Sequence, residues 1–201
     1  MSEPLGVFPA PIGSVPLAQS WKLSDGTTVT LRDVDPADED RLRAFFNRLS
    51  EQARYERFFH GAPAITEELL AYFLAADGRR HVGLIITAPD GSSIIGDGRL
   101  VTTEPGEAEV ALAVADAWQG RGIGRRLLRT LLALAREHRI VRVRADFLSE
   151  NRRMMGLLRD AEFVFRRIPG NAIVGSASRS ISLEGLEITA PGPTSLEGAR
   201  A

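Results

Sequence analysis

The sequence predicts a mixed α/β fold, in which helices pack on both faces of one central sheet. Three strand-like segments follow one another, at 81–88, 93–103 and 107–115. The residues Pro89, Asp90 and Gly91 favour a hairpin turn between the first two, so this half of the sheet should be antiparallel. A helical stripe from about 122 to 138 then precedes another alternating segment at 140–147. That strand–helix–strand order is typical of a parallel pair, so the whole sheet should be mixed and mostly antiparallel.

The remaining elements follow from hydrophobic spacing and from helix-start signals. Residues 27–34 are β-branched and alternate, which predicts a strand. Asp35 and Pro36 supply an N-cap and a first-turn proline for a helix. The apolar face of that helix is formed by Leu42, Phe45, Phe46 and Leu49. Further helices are expected near 50–59, after the N-cap Thr66 and over 150–161, and further strands over 162–168 and 171–183.

Length and composition favour one domain with two tails. The chain has 201 residues, of which 44% are hydrophobic, and this suffices for one core. Residues 1–20 carry four prolines and no periodicity, so we expect a flexible N-terminal arm. We place the folded domain at 21–185 and a disordered C-terminal tail at 186–201.

The composition argues against several classes of function. The net charge of −1 disfavours a general nucleic-acid or membrane binder. The absence of cysteine excludes disulfides, zinc–thiolate sites and a cysteine nucleophile. The three histidines show no metal-ligand spacing, so no metal is expected. Neither a membrane span nor a signal peptide is recognisable, and we expect a cytoplasmic protein.

The most informative stretch is AEVALAVADAWQGRGIGRRLL, residues 108–128, where a glycine-rich turn joins a strand to a helix. A helix start offers unpaired N–H groups and a partial positive charge, and glycines let the backbone approach an anion. No acid lies within 119–129, and the cations there are Arg121, Arg125, Arg126 and Arg129. The turn therefore predicts a pyrophosphate site.

Three phosphate-binding patterns compete for this turn. A nucleoside-triphosphate loop needs four residues between its glycines and a Lys-Ser/Thr after them, and neither is present. A dinucleotide fingerprint needs a third glycine where Arg125 stands, although Asp146 does lie at a suitable strand end. The third pattern, Gln/Arg-x-x-Gly-x-Gly/Ala, is matched by Gln119, Gly122 and Gly124.

These features resemble the GNAT superfamily of acyl-CoA-dependent N-acyltransferases. The resemblance rests on AEVALAVAD, WQGRGIGRRLL and MMGLLRDAEF, and it covers about 27–183. It implies a GNAT-like fold, with 21–185 as an N-acetyltransferase domain. LSEQARYERFFHG (49–61) and ITEELLAYF (65–73) are in addition similar to bacterial protein-lysine acetyltransferases.

The resemblance implies acetyl-CoA as co-substrate and assigns the residues that bind it. The pantetheine arm would run along 107–115 near Leu112 and Val114 and would meet Asn151. The pyrophosphate would lie on the amides of 120–125. The implied cofactor-binding residues are Leu112, Val114, Gln119, Gly120, Arg121, Gly122, Ile123, Gly124, Arg125 and Asn151.

Glu109 is the predicted general base. Strand alternation places it on one face with Glu107, Ala111 and Ala113, and the small alanines leave space beside it. It also stands where protein acetyltransferases place their base. A lysine with a pKa of about 10.4 is almost wholly protonated at neutral pH, so a carboxylate is needed to take the proton before the amine attacks the thioester. Glu107 and Glu104 are weaker candidates.

Two departures from the family pattern leave the function partly open. Many members carry a tyrosine that protonates the departing thiolate, and Leu158 stands at that position. Glu162 replaces a glycine that usually precedes the final aromatic residue. The leading hypothesis is acetylation of a protein lysine. The alternatives are acetylation of a small amine and a non-catalytic acyl-CoA-binding module that regulates a partner.

Overall fold

The computed structural model of the protein describes residues 17–61, 64–168 and 170–184. The described elements, in chain order, are β1 (Ala18–Lys22), β2 (Thr28–Asp33), α1 (Glu39–Arg48), α2 (Glu51–Phe58), α3 (Glu67–Leu74), β3 (His81–Thr87), β4 (Ile94–Glu104), β5 (Glu107–Val114), α4 (Ile123–Glu137), β6 (Arg142–Leu148), α5 (Arg152–Asp160), β7 (Val164–Arg167) and β8 (Val174–Ser180). Short 3-10 turns, Pro36–Asp38 and Asp116–Trp118, precede α1 and follow β5.

The strands form one sheet in the order β1-β2-β3-β4-β5-β6-β8-β7. Neighbouring strands are antiparallel except for the pair β5 and β6, which α4 connects. The predicted fold class, a mixed and mostly antiparallel sheet with helices on both faces, is therefore confirmed.

Different helices cover the two faces of the sheet. On one face α4 packs through Leu127 and Leu131 onto the central strands, and the glycine Gly98 of β4 lets this helix approach closely. On the opposite face α1 and α3 bury an aromatic cluster that includes Phe46 and Phe73. Hydrophobic spacing predicted both apolar helix faces.

Local helix signals are found where the sequence placed them. The Asp35 side chain accepts a hydrogen bond from Ala37 N, and Pro36 opens the 3-10 turn before α1. Thr66 accepts one from Leu69 N at the start of α3. These caps satisfy backbone donors that a helix start leaves unpaired.

One strand was not predicted. β1 pairs along its whole length with β2, from Ala18↔Arg32 to Lys22↔Thr28, and it begins inside the stretch assigned to the N-terminal arm. Residues 1–16 of that arm and the tail 186–201 lie outside the described residues. No helix within the described ranges has the length and apolar composition needed to cross a membrane.

The parallel pairing of β5 with β6 is short. Its Cα partners run from Glu107↔Arg142 to Glu109↔Arg144. β5 stays paired with β4 as far as Val114, and β6 stays paired with β8 as far as Leu148. The two halves of the sheet therefore diverge beyond Glu109 and Arg144. We call the resulting gap between 110–114 and 145–148 the V opening.

Candidate active site

A cleft of about 490 Å³ lies at the end of β5. Its walls come from the last residues of β5, the turn into α4, one side of α5 along its length and one side of α2. The sequence-predicted residues that line it are Leu112, Val114, Gln119, Gly120, Gly122, Ile123, Gly124, Arg125 and Asn151. The structure thus brings together nine of the ten predicted cofactor residues in one cavity. Arg121 is the exception.

The start of α4 offers backbone N–H groups to the cleft. Gly122 is the N-cap residue with φ of 83°, no side chain caps the helix, and its first turn carries no acid. Gly120 also has positive φ, and a Cβ at either glycine would meet no atom within 4 Å. The backbone N–H groups at the start of α4 therefore have no side-chain acceptor and face open space at the positive end of the helix dipole. This arrangement suits an anion such as a pyrophosphate.

Two of the predicted cations face away from the cleft. Arg121 pairs with Asp25 at 2.9 Å and lies over the Trp118 ring. Arg126 donates to Gln19 at 3.1 Å and lies over the ring of Trp21.

Other cations do line the cleft. Arg125 pairs there with Asp160 at 2.6 Å, and the exposure of both side chains leaves this pair free to rearrange around a phosphate. α5 adds Arg152 and Arg153, which the sequence did not single out. Arg129 lines a different surface depression, together with Arg136.

Gln119 and Asn151 fix the cleft walls through hydrogen bonds. Gln119 Nε2 donates to the carbonyl of Val114 at 3.0 Å, and its Oε1 accepts from Arg153. Asn151 Oδ1 accepts from Met154 N at 2.9 Å and so caps α5. Both side chains tie the end of β5 and the start of α5 into a fixed frame.

The helix α2 is held against the cleft by a contact with the turn after β5. Asp116 accepts hydrogen bonds from Ser50 N at 2.9 Å and from Ser50 Oγ at 2.6 Å. Burial raises the pKa of Asp116, but these hydrogen bonds outweigh it and leave the pKa below its usual value. This contact brings Ala53, Glu56 and Arg57 to the cleft wall.

Glu109 lies at the vertex of the V opening, outside the residues that line the cleft. Its side chain is 39% exposed, and its Oε2 lies 3.6 Å from Arg144 Nη2. Glu107, two residues earlier on the same face of β5, pairs with Arg142 at 3.1 Å. The carboxylate of Glu109 therefore stands where β5 and β6 part, open to solvent on the face opposite α4.

A buried charged cluster on the same sheet face was not predicted. Asp97 and Arg99 of β4 are 0% and 2% exposed and form an ion pair. Arg57 Nη2 lies 4.0 Å from Asp97 Oδ2, and its guanidinium packs against the Phe73 ring. Burial lowers the pKa of Arg57, an effect that Asp97 opposes. The charges at alternate positions of an otherwise apolar strand were the available signal for Asp97 and Arg99.

The position of Leu158 accounts for one departure from the family pattern. Leu158 is buried in the main core with α4, so it belongs to the packing of α5. The residues that line the cleft include no tyrosine in the described part of the chain.

The described His, Asp and Glu side chains do not form a group of three or more that would hold a metal ion.

Sequence comparisons place the chain in one family. Residues 28–164 match the family model described as an acetyltransferase (GNAT) domain. The chain is 28% identical over 153 residues to an acetyltransferase of Pseudomonas aeruginosa, with 75% of this chain and 82% of that protein covered. It is 32% identical over 130 residues to acetyltransferase Pat of Mycolicibacterium smegmatis, with 64% of this chain and 39% of Pat covered.

Solved structures agree with this placement. The GNAT domain of S. lividans PAT is 31% identical with a TM-score of 0.75, over 81% of this chain and 96% of that one. A cAMP-binding acyltransferase from Mycobacterium smegmatis is 25% identical with a TM-score of 0.58, over 83% of this chain and 48% of that one. This chain spans less than half of that protein and of Pat. The match to the family model nevertheless covers most of the chain, which therefore belongs to the GNAT acetyltransferase family, enzymes that use acetyl-CoA as co-substrate.

Proposed function

We propose that this protein transfers the acetyl group of acetyl-CoA to a lysine side chain of a protein in the cytoplasm, with Glu109 as general base. The observation that carries the proposal is the position of Glu109. It lies at the vertex of the V opening, beyond the end of a cleft whose far wall is the uncapped start of α4.

The cleft residues suit acetyl-CoA in two ways. The amides of 120–125, with Arg125 beside them, would hold the pyrophosphate. The stretch 110–114 of β5 has lost β6 as a partner and would accept the pantetheine arm, with Leu112 and Val114 against it and Asn151 on the facing wall. The thioester would then lie near the V opening, within reach of an amine on the Glu109 face.

The proposed reaction is direct transfer. Glu109 takes a proton from the acceptor ammonium, and the neutral nitrogen attacks the carbonyl carbon of the thioester. The new C–N bond forms, the C–S bond breaks, and the CoA thiolate takes a proton from water or from the amine. Leu158 supplies no hydroxyl for that last step, and a thiolate is a good enough leaving group to depart without one.

The surroundings of Glu109 favour a protein acceptor over a small amine. Arg142 and Arg144 beside it are 58% and 53% exposed, so the β6 side of the Glu109 carboxylate is open to solvent. Small molecules are recognised in concave pockets that bury most of their surface, whereas an open surface suits a side chain presented by another protein. The similarity of 49–61 and 65–73 to protein-lysine acetyltransferases supports the same acceptor.

Two features of the chain make the proposal simple to test. Because the protein has no cysteine, a thiol reagent detects CoA release without background, and because Lys22 is its single lysine, self-acetylation is confined to that side chain and the N-terminus. The protein is incubated with acetyl-CoA and a cell lysate whose own thiols have been alkylated and whose small molecules have been removed, and acetylated peptides are identified by mass spectrometry. We expect the amount of CoA released to match the amount of acetyl-lysine formed. CoA release with small amines only would support the small-molecule alternative, and tight acetyl-CoA binding without turnover would support the regulatory module.

A further inference from the structure

Arg144 lies between two carboxylates at the vertex of the V opening. Its Nη2 is 3.6 Å from Glu109 Oε2, and its Nε is 3.9 Å from Asp146 Oδ1. Both distances exceed the usual hydrogen-bond range, so charge alone holds the guanidinium between the two acids. Its side chain is 53% exposed, and exposed ion pairs of this kind contribute little to stability. A competing cation can therefore displace Arg144 at low cost.

Asp146 is the less satisfied of the two acids. Its side chain is 27% exposed, and its Oδ1 is buried without a hydrogen-bond partner among the described residues. A buried carboxylate oxygen is stabilised by an N–H donor, so this position favours a ligand that brings one. Asp146 lies two residues beyond Arg144 on β6 and so shares the sheet face of Arg144 and Glu109, on the β6 side of the V opening.

From this geometry we infer that Glu109 and Asp146 together form the binding site for the acceptor's ammonium group, and that Arg144 occupies that site until the acceptor displaces it. The inference rests on the proposed function. An ammonium carries three N–H donors, so it can donate to more than one carboxylate oxygen. One proton then passes to Glu109, while Asp146 keeps its charge and holds the nitrogen beside the V opening.

The arrangement also gives Arg144 a role before the acceptor arrives. Two carboxylates that approach the same guanidinium repel one another, and the positive charge of Arg144 offsets this repulsion. A neutral nucleophile has no attractive charge interaction with the two carboxylates, so it displaces Arg144 from between them poorly. The site should therefore select cationic amines, and Asp146 should affect acceptor binding more than the chemical step.

The test compares two nucleophiles in steady-state CoA release at pH 7.5, poly-L-lysine as the cationic acceptor and hydroxylamine as the uncharged one. Asp146→Asn should raise the KM for poly-L-lysine about 10- to 100-fold, the effect of losing one charge-assisted hydrogen bond, and leave kcat nearly unchanged. Hydroxylamine kinetics should stay as in the wild type. Asp146→Glu should restore part of the loss, because it restores the charge.

Two further variants separate the site from its surroundings. Arg144→Gln should lower the KM for poly-L-lysine, because the competing cation is gone. Arg142→Gln breaks the equivalent pair with Glu107, two register positions away, and should leave the kinetics with both nucleophiles unaffected. If Asp146→Asn and Arg144→Gln both keep normal turnover and an unchanged KM for poly-L-lysine, the ammonium site is refuted and the proposed function stands. Equal losses with both nucleophiles in Asp146→Asn would show a structural role instead. A wild type that transfers acetyl to hydroxylamine but never to poly-L-lysine would contradict the proposed lysine acceptor, and the ammonium site with it.

Discussion

Gly124 offers the sharpest test of the cofactor cleft. It lies in the first turn of α4, where its backbone is helical, so a side chain there costs no backbone strain. A Cβ at this position would meet Leu157 Cδ2 at 3.6 Å, Leu112 Cδ1 at 3.8 Å and Val114 Cγ2 at 3.8 Å. These are ordinary contact distances, and all three neighbours line the cleft. Gly124→Val should therefore fold normally and narrow the cleft.

The expected loss of affinity follows from what the added methyl groups displace. A valine at 124 keeps the cofactor from closing onto the start of α4, so at least one charge-assisted hydrogen bond from the amides is lost. One such bond is worth about 1.5–3 kcal/mol, or about 10- to 100-fold in Kd for acetyl-CoA. Gly124→Ala adds only the Cβ and should cause a smaller loss in the same direction.

Calorimetric titration with acetyl-CoA measures this directly, with thermal unfolding as the folding control. Gly61→Ala adds the same Cβ outside the cleft, where nothing lies within 4 Å, and should bind like the wild type. A well-folded Gly124→Val protein that binds acetyl-CoA within about twofold of the wild type would refute the placement of the cofactor at this helix start.

Two further predictions concern the buried polar groups on the Glu109 face. Asp97→Ala leaves Arg99 buried without its counter-charge and should lower the free energy of unfolding by about 3–5 kcal/mol in urea titration. Arg142→Gln, which breaks the exposed pair with Glu107, should leave the urea midpoint nearly unchanged. Burial, and next the nearby Arg99, lower the pKa of His81 below its usual 6.5. Below pH 6.5 the unfolded chain therefore binds the proton more readily than the folded chain. The free energy of unfolding should fall by at most about 1.4 kcal/mol for each pH unit below 6.5. His81→Phe should flatten this dependence between about pH 6.5 and 5, and an unchanged slope would contradict it.

The sequence predicted what depends on local spacing. The stripe of α4, the alternation of β5 and the caps Asp35 and Thr66 each involve residues a few positions apart, and all are found. The glycine-rich turn belongs to the same class, since positive φ and close approach are properties of the turn itself. These local features sufficed to locate the cleft.

What the sequence left open depends on contacts between distant segments. The pattern of β5 and β6 predicted strands but not where their pairing ends, and that point creates the V opening. Arg121 lies in the glycine-rich turn and was predicted to bind the cofactor, yet it pairs with Asp25, an acid distant in sequence. Arg57 sits on a largely polar helix, and only the docking of α2 buries it beside Asp97.

The role of Glu109 is tested most directly by measuring both the activity of Glu109→Gln and its affinity for acetyl-CoA. The Kd for acetyl-CoA should be unchanged, because the proposed cofactor contacts are backbone amides and arginines, and kcat/KM should be about 10²- to 10⁴-fold lower near neutral pH. Activity should recover only at high pH, where the lysine amine deprotonates unaided. Glu107→Gln, two residues earlier on the same strand face, is the matched control and should retain most of the activity. Wild-type activity in Glu109→Gln, or loss of acetyl-CoA binding in that variant, would contradict the assignment of Glu109 as the base.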